Sequence, residues 1–281
     1  AVSRKDWVGA VELLTRQAAA SSGTEGRTAA LLASAHIQIS EMEGRQDQAA
    51  AALREALSVR PDNYTALRFL RVIHYDREEY APLVDVLGQA RALAGAGEQL
   101  RIDYELGRVH DEVLQDAPKA LAAFQRALAQ DGRLIPAFLY AEQLLNGSSD
   151  KPGLLALWRG AADAWGGPDA SWWRARAARL GDLIGADADE VALDWLSAID
   201  AAPVPGFLAE EHRHWLQLRG RPDELATALQ SSLATTKDPR ARAAVLADLG
   251  RLASQSGDRA MALQRFDEAL ERAASDARSL V

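Results

Sequence analysis

The side chains of this chain that are able to do chemistry are few, and their spacing does not gather them. Five histidines, His36, His74, His110, His212 and His214, are the candidates for proton transfer or metal ligation. His36, His74 and His110 fall on what read as the first helices of successive helix pairs, where packing is the plain expectation. His212 and His214 are two residues apart, so on a helix they point to different sides. Glu210 and His214 could share a face, but a pair of ligands makes a weak metal site, and none is expected. The carboxylate pairs Glu78-Glu79, Asp111-Glu112 and Glu210-Glu211 read as solvated helix faces, since no partnered nucleophile accompanies them. The sequence contains no GxSxG, no HExxH, no Gly-rich phosphate loop ending in Gly-Lys-Ser/Thr and no GxGxxG. No catalytic residue and no cofactor is expected.

Binding chemistry is better represented. Only four of the 32 basic residues are lysines (Lys5, Lys119, Lys151, Lys237), so positive charge is carried mostly by guanidinium groups, which favour flat bidentate pairing with carboxylates. The same bias would follow from a GC-rich genome. Six of the seven tryptophans lie between Trp158 and Trp215. Trp158 and Trp195 sit on the expected core stripe. Trp172 and Trp173 are adjacent and cannot share a face, so one of them is expected to be partly exposed beside Arg174 and Arg176, a good anchor for a partner. Packing between diverged helix pairs is the competing account.

The 281-residue chain has 48% hydrophobic and 26% charged residues, ordinary material for a folded protein. A formal charge of −8 argues against nucleic-acid binding by bulk attraction. No apolar run approaches the ~20 residues of a membrane span, and no signal peptide is visible, so no membrane insertion is expected and the cytoplasm is the favoured compartment. The absence of cysteine rules out disulfides without fixing the compartment. Because Ala1 is not an initiator methionine, a processed or excised chain is expected.

The elements that must position these residues come from an internal repeat. A small–large–small pattern recurs at Ala49, Leu53, Ala56 and Leu57, at Ala120, Phe124, Ala127 and Leu128, at Val191, Trp195, Ala198 and Ile199, and at Ala262, Phe266, Ala269 and Leu270. Successive copies are 71 residues apart. A second class, at Leu83, Leu87 and Ala90, then Leu154, Trp158 and Ala161, then Leu225, Leu229 and Ser232, interleaves with the first at alternating intervals of 34 and 37 residues. The spacing i, i+4, i+7 places one apolar stripe on each helix. Partner helices are expected at about 26–43, 62–75, 97–115, 133–147, 168–184, 205–219 and 239–256. Turn signals separate the members of each pair, among them Glu43-Gly44, Gln115-Asp116-Ala117-Pro118, Asn146-Gly147-Ser148-Ser149, Gly185-Ala186-Asp187 and Ser256-Gly257-Asp258. Pro61-Asp62, Asp131-Gly132 and Pro203-Val204-Pro205-Gly206 mark boundaries between pairs. The expectation is about fifteen helices in one array over 1–281. An unpaired helix within 1–20 begins at Arg4, and about seven pairs fill 26–276. The unpaired helix suggests a longer parent array.

These residues resemble the tetratricopeptide repeat. Leu249-Gly250, Ala253, Gly257, Ala262, Phe266 and Ala269 match its motif best, followed by Ala49, Leu53, Ala56, Leu57 and Pro61, and by Leu106-Gly107, Ala120, Phe124 and Ala127. The resemblance implies an all-α, right-handed superhelical solenoid of antiparallel helix pairs whose first helices line a concave face. Carrying over the family's groove-lining places picks out Gln38 and Glu41, Thr65 and Arg68, then Arg101, Tyr104, Arg108 and Asp111, with Leu139, Gln143, Arg251 and Gln255 further along. Arg68, Arg101 and Arg108 beside Tyr104 would form a basic track suited to an acidic or C-terminal-carboxylate peptide. Salt bridges to neighbouring first helices are the alternative use of these arginines. The resemblance therefore implies a non-catalytic protein-interaction scaffold binding a protein or peptide on its concave face through Gln38, Glu41, Arg68, Arg101, Tyr104 and Arg108, and the adjacent-tryptophan reading adds Trp172 as a further expected contact. The alternatives are a regulatory or sensing region that takes a small ligand or signalling peptide, and an enzyme built on a helical-repeat toroid.

Overall fold

The computed structural model describes residues 6–204 and 206–279. Arg4 and Lys5, at the expected start of the first helix, and Pro205, at one expected boundary, lie outside the described residues. Among the described residues the structure holds α-helices and no strand. The contacts divide the chain into two compact units, 1–150 and 151–281.

The first unit contains α1 (Trp7–Ala20), α2 (Thr24–Ser40), α3 (Gln46–Val59), α4 (Tyr64–Asp76), α5 (Tyr80–Leu93), α6 (Ala96–Arg108), α7 (Ala117–Gln130) and α8 (Ile135–Gly147). A π-helical turn, Val109–Val113, follows α6. The second unit contains α9 (Lys151–Trp165), α10 (Gly167–Ile184), α11 (Ala188–Ala201), α12 (Gly206–Leu218), α13 (Pro222–Thr235), α14 (Pro239–Gln255) and α15 (Arg259–Ser279). Within each unit, helices consecutive in the chain pack on one another, and the short turns between them make neighbours antiparallel.

The stripe expected from the repeat is the core. Ala49, Leu53, Ala56, Leu83, Leu87, Ala120, Phe124 and Ala127 are fully sequestered in the first unit. Trp158, Val191, Trp195, Ala198 and Leu229 are buried in the second, while Phe266 is half-buried. Complete burial of a side chain such as Phe124 contributes ~2 kcal/mol. The alanines let helix axes approach, and glycine extends the same logic. A Cβ on Gly107 would stand 2.5 Å from Cε1 of Phe124, and one on Gly250 would stand 2.8 Å from Cε1 of Phe266.

One turn motif ends the first helix of six of the pairs. Glu78, Gln115, Ser149, Gly185, Gly220 and Gly257 all carry positive φ, between 54° and 86°, while Gly44, also at positive φ, stands beyond the Glu41 C-cap of α2. The N–H of the next residue then reaches back to a carbonyl of the last helical turn, as in Glu79 to His74 (2.9 Å), Asp150 to Leu145 (2.9 Å), Ala186 to Gly181 (2.8 Å) and Asp258 to Ala253 (2.9 Å). This closure satisfies carbonyls that the helix end leaves open. After α8 the left-handed residue is Ser149, and Gly147 stays helical. At Gln115 the returning bond runs from Asp116 to His110 (2.8 Å), one residue longer than in the other turns, because the π turn absorbs an extra residue.

The expectation of packed histidines holds for His74 and His110, which are buried. His36 is exposed instead, with its ring 5.5 Å from that of Phe69 on α4.

Candidate functional site

In the first unit, α4 and α6 are first helices of successive pairs, and each presents one face to a shared groove of ≈900 Å³. On α4 that face is Thr65, Arg68, Phe69, Val72, Tyr75 and Asp76, at the i, i+3, i+4, i+7 spacing of a single helical stripe. On α6 and its π turn it is Arg101, Tyr104, Glu105, Arg108, Glu112 and Val113, with Tyr80 of α5 also contributing. Thr65, Arg68, Arg101, Tyr104 and Arg108, singled out from the sequence, are therefore brought together here.

Apolar surface makes up much of the wall. Tyr75 is 59% exposed, Val72 46% and Val113 41%, so three large apolar side chains stand open within one depression. Tyr104 is fixed from beneath, with its ring 5.9 Å from that of buried Phe124, which stacks at 4.9 Å on Tyr140 of α8. None of Phe69, Val72, Tyr75, Tyr80 and Val113 was singled out from the sequence. For α4 the signal was present, since Phe69, Val72 and Tyr75 continue the stripe begun at Thr65 and Arg68.

The arginines differ in how they are held. Arg108 donates from Nε and Nη2 to Glu112, at 2.9 and 2.7 Å, a two-pronged pair. Glu112 also accepts the Tyr140 hydroxyl at 2.5 Å. Bonding to Arg108 first, and to Tyr140 second, holds the Glu112 carboxyl below the usual range. Arg71 bonds Glu105 across the two helices, its Nε 3.0 Å from Oε1. Burial raises the Glu105 pKa against the opposing pull of Arg71. Arg101 stands 3.8 Å from Glu98 and is 77% exposed. Arg68 is exposed and makes no ion pair among the described residues. The basic track expected from the sequence is thus a mixed surface, with Asp76, Glu105 and Glu112 among its lining. Cross-helix pairing in the groove is made by Arg71, which the sequence did not single out.

The remaining expected positions lie elsewhere. Gln38 is buried on α2, a correction to its place on an open face, because its stripe points at neighbouring helices. Glu41 is exposed at the C-cap of α2, outside the groove lining. Asp111 is half-buried in the π turn, and Leu139 and Gln143 are exposed on α8. In the second unit Arg251 and Gln255 are exposed on α14, and Arg251 pairs with Asp248 of its own helix.

Trp172 in the second unit is 53% exposed while Trp173 is buried, as their adjacency requires. The Arg176 guanidinium lies 4.0 Å from the ring centre of Trp158 and 4.6 Å from that of Trp172. Arg174 is turned away to Asp163 and the buried carboxylate of Asp194 (2.9 Å). Trp172 thus adds an aromatic face backed by a stacked cation. Among the described residues no helix is long and apolar enough to cross a membrane, and no three metal-ligating side chains cluster.

No protein-family model matches the chain, and no curated protein matches it in sequence. Solved structures do. The chain is similar to YrrB, described as a TPR protein with an unusual peptide-binding site, at 17% identity over 74% of this chain and 97% of that one, with a TM-score of 0.38. It is similar to the MamA protein at 18% identity, covering 57% of this chain and 82% of that one, with a TM-score of 0.40. A tetratricopeptide repeat protein from Parabacteroides merdae is 15% identical, over 95% of this chain and 87% of that one, with a TM-score of 0.40. By its own 71-residue double repeat, folded as consecutive helix pairs, the chain is an all-helical repeat array.

Proposed function

We propose that the protein is a non-catalytic interaction scaffold whose α4–α6 groove receives an extended acidic segment of a partner protein. The observation that carries this reading is the pairing, in one ≈900 Å³ groove, of an open aromatic and aliphatic wall with two weakly engaged guanidinium groups, Arg68 and Arg101. Apolar side chains of the segment would cover Val72, Tyr75 and Val113. A wall built from packed helices loses little freedom on binding, so more of the contact energy appears as affinity. Trp172 supplies a separate contact for the same partner or another one.

The test is fluorescence anisotropy with labelled peptides that mix glutamate and leucine, using the wild type and the double variant Arg68→Ala/Arg101→Ala. The reading expects binding that weakens with salt and drops at least about tenfold in the variant, for two exposed charge contacts. Equal binding by both proteins moves the site, with Trp172→Ala as the next variant. Failure of every acidic peptide to bind the wild type overturns the reading.

A further inference from the structure

Two of the four arginines in the groove already hydrogen-bond carboxylates of the chain itself, and the two pairs differ in kind. Glu105 lies deep between α4 and α6, its side chain 17% exposed, bonded by Arg71 across the helix interface. Displacing it would mean unpacking two helices. Glu112 lies at the mouth of the groove, its side chain 37% exposed, and grips Arg108 with both oxygens, as an incoming ligand carboxylate would. Its place depends on the π turn. Between Gly107 and Asp116 the chain has one residue more than between Gly250 and Asp258, and that residue is taken up as a π turn at Val109–Val113. Glu112 is then steadied from the far side by the Tyr140 hydroxyl of α8.

We infer that Glu112 is a built-in competitor: it occupies Arg108 in place of a ligand carboxylate, and binding of an acidic segment exchanges it. This rests on the α4–α6 groove being the binding site. It gives Arg108 a latent role distinct from that of Arg68 and Arg101, which are open to ligand from the start. It also gives a route by which the occupied groove releases Tyr140 from its bond to the π turn.

The experiment uses the full chain and a fluorescein-labelled octapeptide alternating glutamate and leucine. Glu112→Gln keeps an acceptor for Tyr140 but removes the competing charge, and is expected to tighten binding about fivefold. Arg108→Ala should change binding less than about twofold in the wild type, yet weaken it about fivefold in the Glu112→Gln background. Tyr140→Phe keeps the ring stacked on Phe124 while loosening Glu112, and should tighten binding about twofold. Circular dichroism checks that each variant is folded. A merely structural Glu112 would give the opposite pattern, with unchanged or weaker peptide binding in Glu112→Gln and Tyr140→Phe and an equal Arg108→Ala effect in both backgrounds. That result overturns the inference while leaving the groove in place. Absence of binding by the wild type and all variants overturns both.

Discussion

Gly107 and Phe124 meet as a backbone and a ring: the place where a Cβ on Gly107 would stand is 2.5 Å from Cε1 of the phenylalanine. Phe124 is fully buried and stacked on Tyr140, so it cannot retreat. Gly107→Ala should therefore destabilise the chain by ~2 kcal/mol, as overpacked cores do, outweighing the helix-propensity gain of up to ~1 kcal/mol. Gly250→Ala meets Phe266, which is half-buried and freer to shift, and should cost less. Gly88 and Gly160 are mid-helix glycines with nothing within 4 Å of such a Cβ, so alanine at either should stabilise by ~0.5–1 kcal/mol. Urea unfolding of the four variants gives the ranking. A stabilised Gly107→Ala would mean that α6 and α7 do not meet at Gly107 and Phe124.

Glu78 and Ser149 hold left-handed backbone, at φ 56° and 58°, in turns where Gly185, Gly220 and Gly257 do the same work. A side chain in that region costs ~1 kcal/mol, partly offset because glycine also frees the unfolded chain. Glu78→Gly and Ser149→Gly should each raise stability by ~0.5 kcal/mol. At Gln115 the gain should vanish, because its amide donates to the Asp111 carbonyl at 2.8 Å and would be lost with the side chain. Thermal midpoints of the three variants separate these outcomes.

Asp103 is wholly buried yet bonded by Arg91 at 2.7 Å, Arg126 at 2.8 Å and Gln130 at 3.0 Å, joining α5, α6 and α7. Asp103→Ala would leave these donors unanswered, though both guanidiniums reach solvent. A loss of ~2 kcal/mol is expected, below the cost of stranding a fully buried charge. Asp194 plays the same part in the second unit between Arg159 and Arg174, and Asp194→Ala should cost a similar amount. Effects under about 0.5 kcal/mol at both sites would show that these clusters do not hold the pairs together.

His212 is 3% exposed and stacked between Trp195 and Trp215, with Nε2 unbonded among the described residues. Burial lowers its pKa, Glu224 acts to raise it, and Arg221 and Arg213 add to the lowering. The unfolded chain takes up this proton near pH ~6.5 while the folded chain stays neutral, so stability falls as pH drops below about 6.5. Burial moves His110 in the same direction in the first unit. His212→Phe keeps an aromatic ring between the two indoles and should flatten part of the decline between about pH 7 and 5. Identical urea midpoints against pH for the variant and the wild type would remove His212 from the account.

The helices and the core are legible in the amino-acid pattern alone. A period of 71 residues and one apolar stripe per helix are local facts, and Leu53, Phe124 and Trp195 are buried because neighbouring pairs must cover that stripe. The pattern also determined that one of Trp172 and Trp173 faces out, since adjacent helical residues cannot share a face. What each arginine does depends on how the helices pack. Arg68, Arg71, Arg101 and Arg108 read alike in sequence, but whether a guanidinium is open or occupied depends on which carboxylate the neighbouring helix brings within reach. Arg71 met Glu105 from α6, while Arg68 met none among the described residues. Gln38 went inward for the same reason, because its exposure was set by the helices around α2. The π turn lies between these cases: its extra residue was countable against Gly250–Asp258, but only folding decided that it would widen the helix and set Glu112 on Arg108.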